Sequence, residues 1–203
     1  GDKDVYTNMN MGGAAGDENL VKMSESLWAI IAQANSNIYN IQNYAEVSQE
    51  VKDKYIGEFM LFKACAYFYL VRCWGDIPVI FDNSQIIADG ESFSLTRTKK
   101  EDVYKYILAT LMEAESLLPD VAEPGRVDKA SAQGLISKVY LTAAGVTGSL
   151  NSAYLKKAVE YGEKVYDNIG HQLEPEFANL FRISTGVNNA EGLVQFHWIC
   201  VYN

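Results

Sequence analysis

Cysteine, histidine, proline and positive charge are all scarce in this chain. Its three cysteines, an odd number, leave no complete disulfide framework. Cys65 and Cys73, eight residues apart on one helix, would stand about 12 Å apart along the axis, beyond the roughly 7 Å between Cα atoms that a disulfide spans. With only two histidines, His171 and His197, and no Cys-x-x-Cys pair, the residues for a zinc site are not present in any usual pattern. Seventeen basic residues against twenty-six acidic ones give a net charge of −9. That balance argues against a nucleic-acid binder, which needs a basic face to neutralise phosphates, and against adsorption to anionic lipid. Long apolar runs are missing too. The most apolar one, around Phe68-Tyr69-Leu70-Val71, lies between Lys63 and Arg72 and falls far short of the roughly 20 residues that span a bilayer. The chain begins at Gly1-Asp2-Lys3 without a methionine, which reads as processed or partial, so the lack of a signal-type stretch excludes nothing.

What is present is apolar mass and tyrosine. Of 203 residues 48% are hydrophobic and 12% aromatic, with thirteen tyrosines, a composition that supports a real core and excludes disorder. The spacing predicts five helices. Residues 1–23 are polar and glycine-bearing and read as an irregular lead-in. From Ser24, the residues Leu27, Ile31, Ala34, Ile38 and Ile41 fall at three- and four-residue steps, the stripe of an amphipathic helix. A second helix runs from Ser48 to Cys73 with Val51, Tyr55, Phe59, Phe62, Ala66, Tyr69 and Cys73 on one face, stopped by Gly75 and Pro78.

A loop from Ile77 to Arg97 follows, and Thr98-Lys99-Lys100-Glu101 has the form of a capping box for the third helix. That helix buries Val103, Ile107, Leu111, Ala114 and Leu118 and ends at Pro119. Asp128 opens a fourth, through Ala132, Leu135, Val139 and Ala143 to Gly145, and Asn151 opens a fifth, through Tyr154, Ala158, Tyr161, Val165 and Ile169 to Gly170. Leu193–Tyr202 reads as a strand or a buried extended run. Alanines recur where the helices would cross (Ala130, Ala132, Ala143, Ala144, Ala153, Ala158). Antiparallel pairs with alanine crossings and tyrosine knobs predict an all-α, tetratricopeptide-like array, whose repeat is about 34 residues.

Motifs for chemistry are absent: there is no G-x-S-x-G elbow, Walker loop, dinucleotide fingerprint or H-E-x-x-H. Gly12-Gly13-Ala14-Ala15-Gly16 has no strand before it and no Lys-Ser/Thr after it, and reads as a flexible turn. Asp17-Glu18 and Glu113/Glu115 could be put forward as acid–base pairs for glycoside cleavage, but adjacent and i,i+2 carboxylates do not face each other across a substrate. His171, just past a helix end, is expected to serve the last carbonyls of that helix. His197, in an apolar run, is expected to be a satisfied buried histidine. No catalytic residue, metal ligand or cofactor is assigned.

Three ordered segments carry a resemblance. The first is Trp28-x-x-Ile31 with Ala34-Asn35 and Ile38. The second runs from Gly57-Glu58-Phe59-Met60-Leu61-Phe62-Lys63-Ala64 through Tyr67-Phe68-Tyr69-Leu70-Val71-Arg72-Cys73-Trp74-Gly75-Asp76-Ile77-Pro78-Val79. The third is Gly125-Arg126-Val127-Asp128-Lys129-Ala130-Ser131-Ala132 with Leu135 and Val139-Tyr140-Leu141. Together they resemble the SusD/RagB family of Bacteroidetes outer-membrane lipoproteins. The second segment is similar to that family's "GEARFLRAYYYFDLVRxWGDVP" and the third to its "GRATKxAAxALLARVYL". Phe59-Met60 stands where "AR" is usual, with Lys63 a nearby basic residue, and Val127-Asp128 replaces "AT", where aspartate also caps a helix.

The resemblance implies that residues 1–203 are the N-terminal part of one SusD-like domain: lead-in 1–23, helical repeats 24–170 and the start of a less regular part at 171–203. It implies a surface-exposed lipoprotein of the outer membrane, touching the membrane only through a lipid anchor outside this chain. Its expected partners are a glycan ligand and a SusC-like TonB-dependent transporter, with no nucleic acid, no catalysis and no cofactor. A RagB-like peptide binder or tetratricopeptide interaction scaffold is the alternative, and an all-helical glycosidase a third. A sugar-capture site stacks flat aromatics on pyranose faces and fixes hydroxyls with polar side chains. Helix packing uses most tyrosines, so the candidates lie outside the stripes: Tyr6 with Asn8 and Asn10 in the lead-in, then Trp28, one residue off its stripe, and Phe93 in the 77–97 loop. Trp74 and Asp76 are expected to brace the end of the second helix.

Overall fold

The computed structural model describes residues 17–83, 95–146, 150–168, 170–182, 186 and 189–196. In them the chain is all-helical: α1 (Glu18–Tyr44), α2 (Gln49–Trp74), α3 (Lys100–Leu117), α4 (Lys129–Ala143), α5 (Ser152–Tyr166) and a short 3-10 helix, Phe177–Phe181. Strand pairing among the described residues is confined to an isolated antiparallel bridge between Ile77 and Thr98. Each α-helix packs mainly on its neighbours in sequence. Contacts advance along one helix as they retreat along the next. Tyr67 meets Tyr106 while Phe68 meets Tyr104, and Ser137 bonds to Ala158 while Tyr140 meets Tyr154. This is an antiparallel array of the expected tetratricopeptide-like kind.

The helix starts show which residues set the boundaries. Asp17 accepts the N–H groups of Asn19 and Leu20, both at 3.0 Å, and starts α1 at Glu18, so residues 18–23 of the expected lead-in are helical. The box expected at Thr98 and Glu101 does not form. Lys99 is the N-cap of α3 without a side-chain bond, Thr98 is drawn into the bridge with Ile77, and the Asp76 carboxylate takes the Lys100 N–H from across the loop at 2.8 Å. A capping box does close at Asp128–Ser131, where each side chain bonds the other residue's backbone N–H. α5 stops at Tyr166 rather than near Gly170, because Asn168 turns the chain by accepting the Gly170 N–H at 2.8 Å.

The core runs between the helices as one cluster that includes Ile31, Leu61, Tyr67, Leu70, Ile107, Leu111, Ile136 and Val139. The α3 stripe, Val103 through Leu118, is wholly buried. The stripe expected for α2 is not. Val51, Tyr55, Tyr69 and Cys73 are exposed, and the buried set is Ile56, Leu61, Ala64, Cys65, Ala66, Tyr67, Phe68, Leu70 and Val71. α2 packs on α1 at one side and α3 at the other, so it is apolar around most of its circumference and has no single stripe. Of the crossing alanines, Ala130, Ala132, Ala143, Ala144 and Ala158 are buried, whereas Ala153 is exposed. Gly57 lets α2 pack tightly on the end of α3: a Cβ there would lie 3.0 Å from Leu118 Cγ and 3.2 Å from Leu117 Cβ.

Candidate functional site

Two places concentrate chemistry. The first is a cleft of about 260 Å³ where the α3–α4 connection meets the segments at 170–171 and 189–195, with Phe62 among its lining residues. Its polar groups are already engaged. Arg126 makes a two-pronged bond to the Glu58 carboxylate, 2.9 Å from Nε and 2.5 Å from Nη2, and its guanidinium lies 5.0 Å from the centre of the Tyr55 ring. Gly125, at φ +82°, makes the turn that presents Arg126. Burial raises the Glu58 carboxyl pKa, and the Arg126 charge pulls against it.

His171 does not serve helix carbonyls. Its Nε2 lies 2.7 Å from the Asp128 carboxylate and its Nδ1 3.1 Å from the Ala190 carbonyl, which ties the chain beyond α5 to the start of α4. Ser131 Oγ adds a bond to the Leu193 carbonyl at 2.6 Å. This cleft holds the fold together, and the Gly125-Arg126 and Gly57-Glu58 segments are the two ends of one staple.

The second place is aromatic and lies along α1, α2 and α3. Trp28 meets Tyr67 edge-on with centroids 6.0 Å apart, Tyr67 meets Tyr106 at 5.3 Å, and Tyr106 meets Phe81 at 5.3 Å. Tyr67 is fully buried and Trp28 half-buried, whereas Phe81 is 72% exposed. Burial pushes the Tyr106 hydroxyl up to about 12 and drives that of Tyr67 well above its ordinary range. Lys63 is buried beside this row with its ammonium 5.5 Å from the Tyr106 ring centre, and loss of hydration brings its pKa down to about 8.

The backbone around Phe81 is pinned on both sides. The Ile80 N–H donates to Tyr67 Oη at 2.8 Å, and Asn35 Nδ2 donates to the Ile80 carbonyl at 3.2 Å and to Asn83 Oδ1 at 3.1 Å. Asn83 Nδ2 in turn donates to the Ala32 carbonyl at 2.6 Å and to Ser36 Oγ at 3.3 Å. Asn35 Oδ1 is buried with no hydrogen-bond partner among the described residues.

Of the residues expected to touch a ligand, only Trp28 is in the described part. It packs against the core and edges Tyr67, so much of its ring serves the fold. Tyr6, Asn8, Asn10 and Phe93 lie outside the described residues, as do His197 and Cys200. Phe81 was passed over by sequence reasoning. The loop itself stood out by its length, but nothing in the sequence separates an exposed loop phenylalanine from a buried one. Asp76, expected to brace the end of α2, ties that corner to the start of α3, and Trp74 beside it is exposed rather than sealing the helix end. Glu113 and Glu115 do not form an acid–base pair: Glu113 is exposed, and Glu115 accepts from Gln133 at 2.8 Å and from Lys164 at 3.4 Å. The described residues contain no group of three or more metal-ligating side chains and no helix long and apolar enough to cross a membrane.

Comparison with known proteins places this architecture. The model of a family described as "starch-binding associating with outer membrane", SusD-like, matches residues 5–141. The chain belongs to the SusD-like family. It is 33% identical over 187 residues to a SusD-like protein of Bacteroides ovatus, covering 90% of this chain and 34% of that protein. A crystal structure with a bound xylogluco-oligosaccharide superposes with a TM-score of 0.79 at 30% identity, over 90% of this chain and 36% of that one. A SusD superfamily protein from Parabacteroides distasonis gives 0.76 at 25% identity, over 86% and 36%. The chain thus spans about a third of the length of the curated relatives it matches.

Proposed function

We propose that this chain is the helical-repeat part of a cell-surface glycan-binding protein that captures oligo- or polysaccharide at the outer membrane and passes it to a SusC-like TonB-dependent transporter. The observation that carries the proposal is the family match, together with the similarity to a protein solved with a xylogluco-oligosaccharide. The site chemistry agrees. Glycoside cleavage needs two facing carboxylates, and Glu113 and Glu115 on α3 are split between solvent and a structural network. An exposed aromatic on a pinned backbone, as at Phe81, offers the flat apolar surface that the C–H face of a sugar requires.

In this reading the protein binds sugar without transforming it and is held at the membrane by a lipid anchor. Tyr6, Asn8 and Asn10 of the lead-in, Trp28 and Phe93 contribute contacts to the ligand. The test is an affinity-gel screen of the full-length protein against a polysaccharide panel that includes starch and xyloglucan, with a folded Tyr6→Ala variant beside it. Retardation by one polysaccharide class, weakened in Tyr6→Ala, is the expected result. Binding of peptides with no retardation by any polysaccharide overturns the proposal in favour of a RagB-like peptide binder.

A further inference from the structure

We infer that Phe81 is a preorganised stacking platform for one pyranose ring of the ligand, an assignment that rests on the glycan-binding reading above. A phenylalanine left 72% exposed gives up the transfer free energy that burial would supply. Exposed apolar residues are common enough on protein surfaces that exposure alone says little. The surroundings distinguish this one. The residue before it and the second residue after it are tied by side-chain hydrogen bonds to α1 and α2, through Tyr67, Asn35, Ala32 and Ser36. The ring is set at 86° to that of Tyr106 at 5.3 Å. One such contact covers only one side of a phenyl ring, so a face stays open to solvent.

The loop therefore holds an apolar surface in the open at a fixed orientation. The ordering cost that a flexible aromatic would bear on binding is already met by the fold. The class of ligand follows from shape and polarity. A flat, uncharged ring takes the C–H face of a hexopyranose or pentopyranose, while Asn35, which is buried, and Asn83 use their amides to hold the loop. Phe177 and Phe181, also exposed, pair with each other on the 3-10 helix, and among the described residues neither has such hydrogen-bonded ties to two helices.

The test is titration calorimetry of the full-length protein with a xylogluco-oligosaccharide and with a malto-oligosaccharide, using Phe81→Ala, Phe81→Trp and, as an exposed-phenylalanine control, Phe181→Ala. Thermal melts establish that each variant is folded. Loss of one aromatic stack is expected to weaken binding about tenfold in Phe81→Ala, with Phe81→Trp restored to near wild type and Phe181→Ala unchanged. Wild-type binding that survives in Phe81→Ala overturns the platform and leaves the glycan reading standing, as does a Phe81→Trp variant as weak as Phe81→Ala. A wild-type protein that binds neither these oligosaccharides nor any polysaccharide of the panel overturns the glycan reading and the platform with it.

Discussion

Removing the Arg126 guanidinium is the most informative perturbation of the fold. Glu58 is buried, its carboxyl already carries a desolvation cost, and Arg126 donates a hydrogen bond to each of its oxygens. Stripping one partner from a fully buried ion pair costs about 3–5 kcal/mol, because the other charge is left without compensation. Here the Arg126 side chain is 37% exposed, and water screens part of the attraction, so about 2–3 kcal/mol is expected for Arg126→Met.

At roughly 2–4 °C per kcal/mol for a chain of this size, the melting temperature falls by about 5–10 °C. The pH dependence has a definite sign. Without Arg126 the folded pKa of Glu58 rises further above its unfolded value, so the native state holds the extra proton between the two. Stability then falls as pH rises through that window, and part of the loss is recovered on acidification from pH 7 toward about 5. Glu58→Gln/Arg126→Met, which has no charge to strand, is expected to be more stable than Arg126→Met alone. Urea unfolding of the four proteins of this double-mutant cycle at both pH values is the assay. A loss below about 1 kcal/mol, of the size seen for exposed ion pairs, or no gain from adding Glu58→Gln refutes the staple.

Three further outcomes are expected. Asp76→Ala removes the remote cap of α3 and costs about 0.5–2 kcal/mol in chemical denaturation, whereas Thr98→Val stays within about 0.5 kcal/mol, the reverse of what the local sequence suggests. Gly57→Val forces atoms against Leu117 and Leu118 at the end of α3 and costs about 1–3 kcal/mol by the same assay, with an unchanged m-value. Burial brings the Lys63 pKa down from its ordinary 10.5 to about 8. Between those values the unfolded chain holds a proton that the native state has released, so wild-type stability rises over that range relative to Lys63→Met, as a difference of unfolding curves will show.

How much of this was legible in the sequence depended on how each residue meets its partner. The α3 stripe was readable because that helix keeps a polar face, and all five of its stripe residues, Val103 through Leu118, are buried as expected. α2 was misread in detail because it lies between two helices, and a pattern with apolar residues all round carries no phase. Local caps at Asp128 and Asn151 were visible as residue types at helix starts. The Asp76 cap of α3 was not, since its partner lies 24 positions away. His171 and Arg126 were hidden for the same reason: their carboxylate partners are 43 and 68 positions distant. A family motif told which segments matter, while only the three-dimensional arrangement told why: Gly57 for a crossing, Glu58 and Arg126 for a staple, Asp76 for a cap. The aromatic site was half legible. Trp28 could be named from its place off the stripe. Phe81 stands out only once its neighbours are seen to hold it in the open.

The most direct test of the central claim is a crystal structure of the full-length protein grown with an oligosaccharide that it retains on an affinity gel. The account predicts a pyranose ring lying against the open face of Phe81. Sugar bound instead in the cleft beside Arg126 and His171, with Phe81 bare, would contradict it.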